Sequence, residues 1–299
     1  MWAGHWTPNE FTFQSDVQNF KVDFTNQERA VVTNALSAIG QIEIAVKKFW
    51  SRLGDNLPHP SLTDLGLVMA NVEVIHNIAY EKLLSHLGLN DVFAENLKKD
   101  IIQNRVKYLR KYLDKEYEDD KKQYIYAIIL FTLFVENVSL FSQFYVVLWF
   151  NRFNNVLKDT AQQVQYTKNE ETCHALIGIT IINQLRVEYP ELFDEGLEEK
   201  VIQEAKEAIK AESKIIEWIL GSYTAENLNP AILKEYNKNR VNTSLKQIGF
   251  NPIFDIDEEL LAKTQWMEED VLGNSKTDFF HKRPVEYSKT KAPEDEALF

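Results

Sequence analysis

Residues 124–150 read YIYAIILFTLFVENVSLFSQFYVVLWF, an apolar run long enough to cross a bilayer, with Glu136 at its middle. Asn137, Ser139 and Gln143 lie close by, and the flanks are strongly charged. A helix that is apolar nearly all round is either a membrane span or the central helix of a large soluble protein. The mid-run carboxylate favours the second, because a buried, unpaired charge costs several kcal/mol or more. The run therefore predicts an all-α protein wrapped round one apolar helix, with neighbouring helices supplying what Glu136 needs. No membrane association is expected.

The rest of the chain suits that prediction. Among 299 residues there are only 10 glycines and 8 prolines, which favours long uninterrupted helices over a turn-rich sheet. Residues 1–25 read as an extended N-terminal arm. Helical periodicity then runs from Asn26 to about Leu53, from about Leu62 to Leu87 with Ser61 or Thr63 as its cap, and over roughly 92–117, 122–152 and 158–187. Two or three more helices fill 195–240. The helical domain is placed at 26–267. The segment 268–299 is charged, contains proline and lacks helical period, and reads as a mobile tail. A net charge of -12 argues against nucleic-acid binding. The single cysteine, Cys173, excludes a disulfide within the chain and a Cys-rich zinc site. The N-terminal MWAGHWTPNEF has neither basic region nor apolar run, so a cytoplasmic location is expected.

Two histidines follow a glutamate by three positions, in Glu73-Val74-Ile75-His76 and Glu171-Thr172-Cys173-His174. On a helix, i and i+3 share a face, so each pair offers a carboxylate and an imidazole to one metal. Both pairs interrupt inward stripes. Met69, Glu73, His76, Tyr80 and Leu83 follow 3–4 spacing, and His174 leads into Ile177, Ile181 and Leu185. Glu43 lies in the stripe Val32, Leu36, Ile39, Val46, Trp50, and Glu136 lies in Ile129, Leu133, Leu140, Phe144. Gln41 is a near neighbour of Glu43, but only Glu43 continues its stripe. Four inward carboxylates would raise one another's pKa and take up protons. Two divalent cations balance their charge, and two neutral imidazoles complete the set. That is the ligand pattern of ferritin-like di-iron and di-manganese bundles. Oxygen and imidazole ligands suit iron or manganese. His5, His59, His86 and His281 have no such context and read as surface residues. Tyr80, one turn after His76, faces the same way, either as packing or as a group that a metal pair could oxidise.

In order and spacing, Glu43, Glu73-x-x-His76-x-x-x-Tyr80, Glu136 and Glu171-x-x-His174 resemble the small, radical-generating subunit of class I ribonucleotide reductase. The gaps are 30, 63 and 35 residues. HWTPNEF near the start and KTDFFHKRPVEYSK at 276–289 are similar to that family's end segments. The resemblance implies a ferritin-like bundle in which Glu43, Glu73, His76, Glu136, Glu171 and His174 bind two metal ions per chain. Fe/Fe is the first expectation, with Mn/Mn and Mn/Fe as alternatives. It further implies a radical on Tyr80, passed through Trp6 and the tail residue Tyr287 to a large subunit that reduces ribonucleotides. A homodimer is implied, and EDEALF at the chain end would dock the large subunit.

Two positions depart from the family. Glu170 stands where an aspartate usually links the metal-bound histidine to the tryptophan. A longer carboxylate can still accept that hydrogen bond. Glu43 stands where the family often has aspartate. The competing readings are a ligand-binding two-metal oxidase of the same fold, which needs neither tail tyrosine nor acidic terminus, and a ferroxidase, which needs none of Trp6, Tyr80 and Tyr287.

Overall fold

The structure is a computed structural model that describes residues 6–57, 59–105 and 121–268, apart from the side chains of 44–47. It is a helical bundle, and among the described residues the only β-type pairing is an isolated bridge between Ala225 and Leu228. The elements are α1 (Gln14–Gln18), α2 (Asn26–Ser51), α3 (Pro60–Leu87), α4 (Asn90–Leu97), α5 (Lys121–Asn154), α6 (Lys158–Glu188), α7 (Glu195–Leu220), α8 (Pro230–Gln247) and α9 (Glu258–Ala262). Helix α5 is the apolar run, and its apolar window is wholly buried by the other helices. It is the core helix of the bundle, packed by α2, α6, α7 and α8.

Helix α5 is not regular throughout. Lys121–Leu130 and Phe141–Asn154 are α-helical, but Phe131–Ser139 between them is π-helical. The extra residue per turn shifts the phase of everything after it, and π segments of this kind recur at functional sites. Glu136 lies inside this one.

Local chemistry explains most of the helix ends. Thr25 and Glu28 form a capping box at the start of α2: the Glu28 amide donates to Thr25 Oγ1, and the Thr25 amide donates to the Glu28 carboxylate. Helix α3 starts at Pro60 rather than near Leu62, and its cap is His59, whose Nδ1 accepts from the Ser61 amide at 3.2 Å. Neither Ser61 nor Thr63 takes that role, because Pro60 presets the helical φ one position earlier. The chain leaves α3 through Gly88 at φ +72°, with the Leu89 amide donating back to the Leu84 carbonyl. The expected helix at 92–117 is broken: α4 ends at Leu97, a second helical stretch covers 100–105, and the remainder lies outside the described residues.

The described part of the N-terminal segment, residues 6–25, is not extended. From Pro8 it forms three short helical turns that bury Phe11, Phe13 and Phe20. Reciprocal capping holds it. Helix α6 begins after Leu157 without a side-chain cap of its own. Its Thr160 amide and hydroxyl donate to buried Asp16, both at 2.7 Å. In return Asp159 accepts from the Phe13 amide at 2.7 Å and the Thr12 amide at 3.1 Å. The first-turn amides of a helix need an acceptor, and here a distant segment supplies it.

Two glycines permit the closest helix approaches. A Cβ on Gly178 of α6 would lie 2.2 Å from Thr132 Oγ1 in the π segment. A Cβ on Gly66 of α3 would lie 2.4 Å from the Trp50 carbonyl of α2. Both approaches bring ligand-bearing helices together.

Candidate metal centre

Helices α2, α3, α5 and α6 each turn a glutamate into the bundle. Glu43, Glu73 and His76 are 0% exposed, Glu136 and Glu171 1%, and His174 0%. They form two groups of four: Glu43, Glu73, His76 and Glu171, and Glu73, Glu136, Glu171 and His174. Within each group one ligand atom per residue lies within 4.8 Å of the others. Glu73 and Glu171 belong to both, as two carboxylates bridging a pair of metals would.

The distances fit that use. His76 Nδ1 lies 3.1 Å from Glu171, 3.5 Å from Glu43 and 3.7 Å from Glu73. His174 Nδ1 lies 3.0 Å from Glu73, 3.3 Å from Glu171 and 3.6 Å from Glu136. Ligands on one ion, each with a bond of about 2.1 Å, stand about 3–4 Å apart. Both oxygens of Glu43, Glu73 and Glu171, and Nδ1 of both histidines, are buried without a formed hydrogen bond. Buried polar atoms are normally satisfied, so this many orphans facing one point indicate a binding centre. The cluster could hold two divalent ions.

Without cations, protons must do the balancing. Burial raises Glu43 to about 8 against the pull of His76. Burial, with the negative charge of Glu171, pushes Glu136 well above the carboxylate range. Burial also opposes ionisation of Glu171, but polar contact with Glu136, His174 and His76 outweighs it and holds Glu171 low. Both imidazoles are raised: burial disfavours their charge, and the surrounding carboxylates overcome it.

Glu170 bridges the centre to the N-terminal segment. Its Oε2 accepts from Trp6 Nε1 at 2.8 Å and meets His76 Nε2 at 2.7 Å. The Trp6 ring stacks on His76 with centroids 6.2 Å apart and planes 24° apart. The glutamate thus spans the gap between the indole and the imidazole. A proton on His76 Nε2 leaves Nδ1 free to face a metal. Tyr80 is 1% exposed, and its hydroxyl donates to Thr167 Oγ1 over a long 3.4 Å. Burial, then the charge of Glu43, pushes its ionisation far up, so it stays a neutral phenol. Tyr287 lies outside the described residues. Gln41 is buried but belongs to neither ligand group.

Two contacts at the centre have no counterpart in the sequence reading. Trp50 is legible there only as the last core position of the Glu43 stripe, yet its Nε1 donates to Glu136 Oε1 at 2.6 Å. A tryptophan on a polar-interrupted stripe is a signal, since buried indole N–H groups seek acceptors. Thr167, one turn before Glu171, gives no such sign.

The chain matches the family described as ribonucleotide reductase, small chain, over residues 1–260. It is 24% identical over 306 residues to a probable ribonucleoside-diphosphate reductase small subunit of Invertebrate iridescent virus 3, covering 97% of this chain and 80% of that protein. Its fold matches a putative class I ribonucleotide reductase of Bacillus halodurans with TM-score 0.81 and 22% identity, over 90% of this chain and 96% of the other. An R2-like ligand-binding oxidase with a Mn/Fe cofactor also matches, at TM-score 0.71 and 18% identity, over 83% and 90%. The bundle is thus ferritin-like, as expected. The oxidase shares the fold alone, whereas the family match spans the ligand helices and the Trp6 segment together, and on that ground the chain belongs to the ribonucleotide reductase small-chain family.

Proposed function

We propose that the chain generates and stores a tyrosyl radical on Tyr80 for a large subunit that reduces ribonucleoside diphosphates. The observation that carries this is the pairing of two four-residue ligand groups that share Glu73 and Glu171 with a hydrogen-bonded line from His76 through Glu170 to Trp6. Glu43, Glu73, His76, Glu136, Glu171 and His174 hold two ions of iron or manganese, which when bound supply redox chemistry with oxygen. Tyr80 is buried and neutral, so its oxidation removes a proton with the electron. Burial keeps solvent from quenching the product. Glu170 fixes the His76 tautomer and orients Trp6. The onward path to Tyr287, the docking by the terminal EDEALF and the homodimer follow from the family resemblance; the cytoplasmic setting follows from the composition of the N-terminal residues.

The test is electron paramagnetic resonance of the chain after loading with iron or manganese and exposure to oxygen, with and without a flavin-type activating partner. A tyrosyl signal that disappears in Tyr80→Phe supports the proposal. The absence of any radical under all these conditions sinks it. A product oxidised without need of a large subunit would favour the oxidase reading.

A further inference from the structure

The π segment Phe131–Ser139 presents Glu136, and something must hold its exit. A π turn disturbs the regular donor–acceptor ladder where α geometry resumes. Here the amides of Gln143 and Phe144 both donate to the Leu140 carbonyl, at 3.1 and 3.0 Å. Two arginines serve the carbonyls just before it. Arg105 donates to the Ser139 carbonyl, and Arg240 Nε donates to the Asn137 carbonyl at 2.6 Å.

The two arginines differ in setting. Arg105 is 1% exposed, is paired with Glu212 through Nε at 2.8 Å and Nη2 at 3.1 Å, and also donates to the Ala38 carbonyl. It ties α2, α5 and α7 together, and its loss would strand a buried carboxylate. Arg240, on α8, acts more locally. Its guanidinium lies 3.4 Å over the Phe141 ring, and Nη2 donates to Asn137 Oδ1. Asn137 Nδ2 donates to Ser244 Oγ, which donates in turn to the Arg240 carbonyl at 2.9 Å. The residue after Glu136 is therefore gripped at its carbonyl and at both ends of its side-chain amide, all from α8. The other nitrogen of Arg240, Nη1, meets Glu268 at 3.2 Å.

We infer that Arg240 is a positioning residue for the metal position held by Glu136 and His174. It acts through Asn137, fixing the roll of the π segment so that the Glu136 carboxylate faces its ion. Trp50 Nε1 donates to the same carboxylate at 2.6 Å. Arg240 reaches the centre through Asn137, the chain neighbour of Glu136, and Glu136 belongs only to the group with His174, so the main effect falls on that one of the two ions. This inference rests on the two-metal reading. Arg240 also borders an open cleft of about 330 Å³ with Asn137, Thr172, Leu176 and Glu268. Water can enter when the side chain is shortened, so truncation there is compatible with folding.

The test is titration of the metal-free full-length chain with Co(II), followed by d–d absorbance and calorimetry. The wild type is expected to bind two ions. Glu136→Gln identifies which binding step belongs to the Glu136 position. Arg240→Gln should weaken that step about 10–100-fold, the usual range for a residue that orients a ligand. The other step should stay within about 3-fold, and Arg240→Lys should recover part of the loss. Equal weakening of both steps with a lowered metal-free Tm would make Arg240 a general structural residue and overturn the assignment. Two unchanged steps overturn it as well. A wild type that binds fewer than two ions overturns the two-metal reading, and the assignment with it.

Discussion

Six buried ionisable side chains share one centre, and their protons respond to one another. In the metal-free chain Glu43 and Glu136 hold protons that ordinary glutamates lose, and both imidazoles hold theirs beyond their usual range. The folded state therefore binds more protons than the unfolded one once pH passes the ordinary glutamate value. For Glu43 the stabilisation is complete below about 4.5 and is lost as pH rises through about 8. Glu136, His76 and His174 act in the same direction. Glu171 acts oppositely, with its contribution present above the ordinary value and lost as pH falls through its lowered one. The metal-free chain should thus lose thermal stability steadily from about pH 5 to about pH 9. Metals compete with the same protons, so saturating Mn(II) should stabilise more as pH rises. Calorimetry in chelator and in Mn(II) across that range checks both trends, and parallel curves would contradict them.

At the scale of elements, the N-terminal segment and α6 support each other's ends. Asp16 is 0% exposed and caps α6, the helix that carries Glu170, Glu171 and His174. The same segment brings Trp6 against Glu170. Asp16→Ala should cost about 1–3 kcal/mol, since it leaves buried donors unsatisfied. It should also release Trp6 while leaving two metals bound. The expected outcome is a normal tyrosyl signal, a sharp fall in nucleotide reduction with a large subunit, and Trp6 fluorescence shifted towards that of an exposed indole. Asp16→Asn, which keeps one acceptor, should recover part of the stability. A variant that loses its metals along with its reduction activity would show that the segment supports the centre rather than the transfer path.

At the scale of the whole molecule, the helices that bury α5 leave an apolar stripe of α3 outside. Leu67, Val74 and Ile78 on α3 are 55%, 43% and 50% exposed, and their gaps of seven and four residues keep them on one face. The proposed homodimer would cover such a stripe. Sedimentation should give twice the mass of the chain, and Leu67→Glu with Ile78→Glu should give a folded monomer. A wild-type monomer at micromolar concentration would remove the dimer from the account. The proposed docking segment lies at the chain end, outside the described residues. Removing residues 294–299 should preserve the tyrosyl signal and abolish nucleotide reduction. Unchanged reduction would refute the docking role of that segment.

Helical periodicity and motif spacing were enough to place the bundle and its six candidate ligands. Glu43, Glu73 and Glu136 are visible because each breaks an apolar stripe, and Glu171 because it precedes His174 by one helical turn; both signals are local to one helix. Trp6 and Glu170 were visible only through family resemblance, because nothing within either segment shows that the two meet. Tertiary structure alone decided how the centre is held. The Trp50–Glu136 bond joins residues 86 positions apart, and the grip of Arg240 on Asn137 spans 103. The π segment is equally hidden, since an apolar run buried on every side has the same composition whether its turns hold 3.6 residues or more. The N-terminal segment reads as extended for a similar reason: its turns are short, and the acceptors and donors that steady them lie on α6. Periodicity records which face a residue takes within its own helix. Which partner meets that face is settled only when the helices pack.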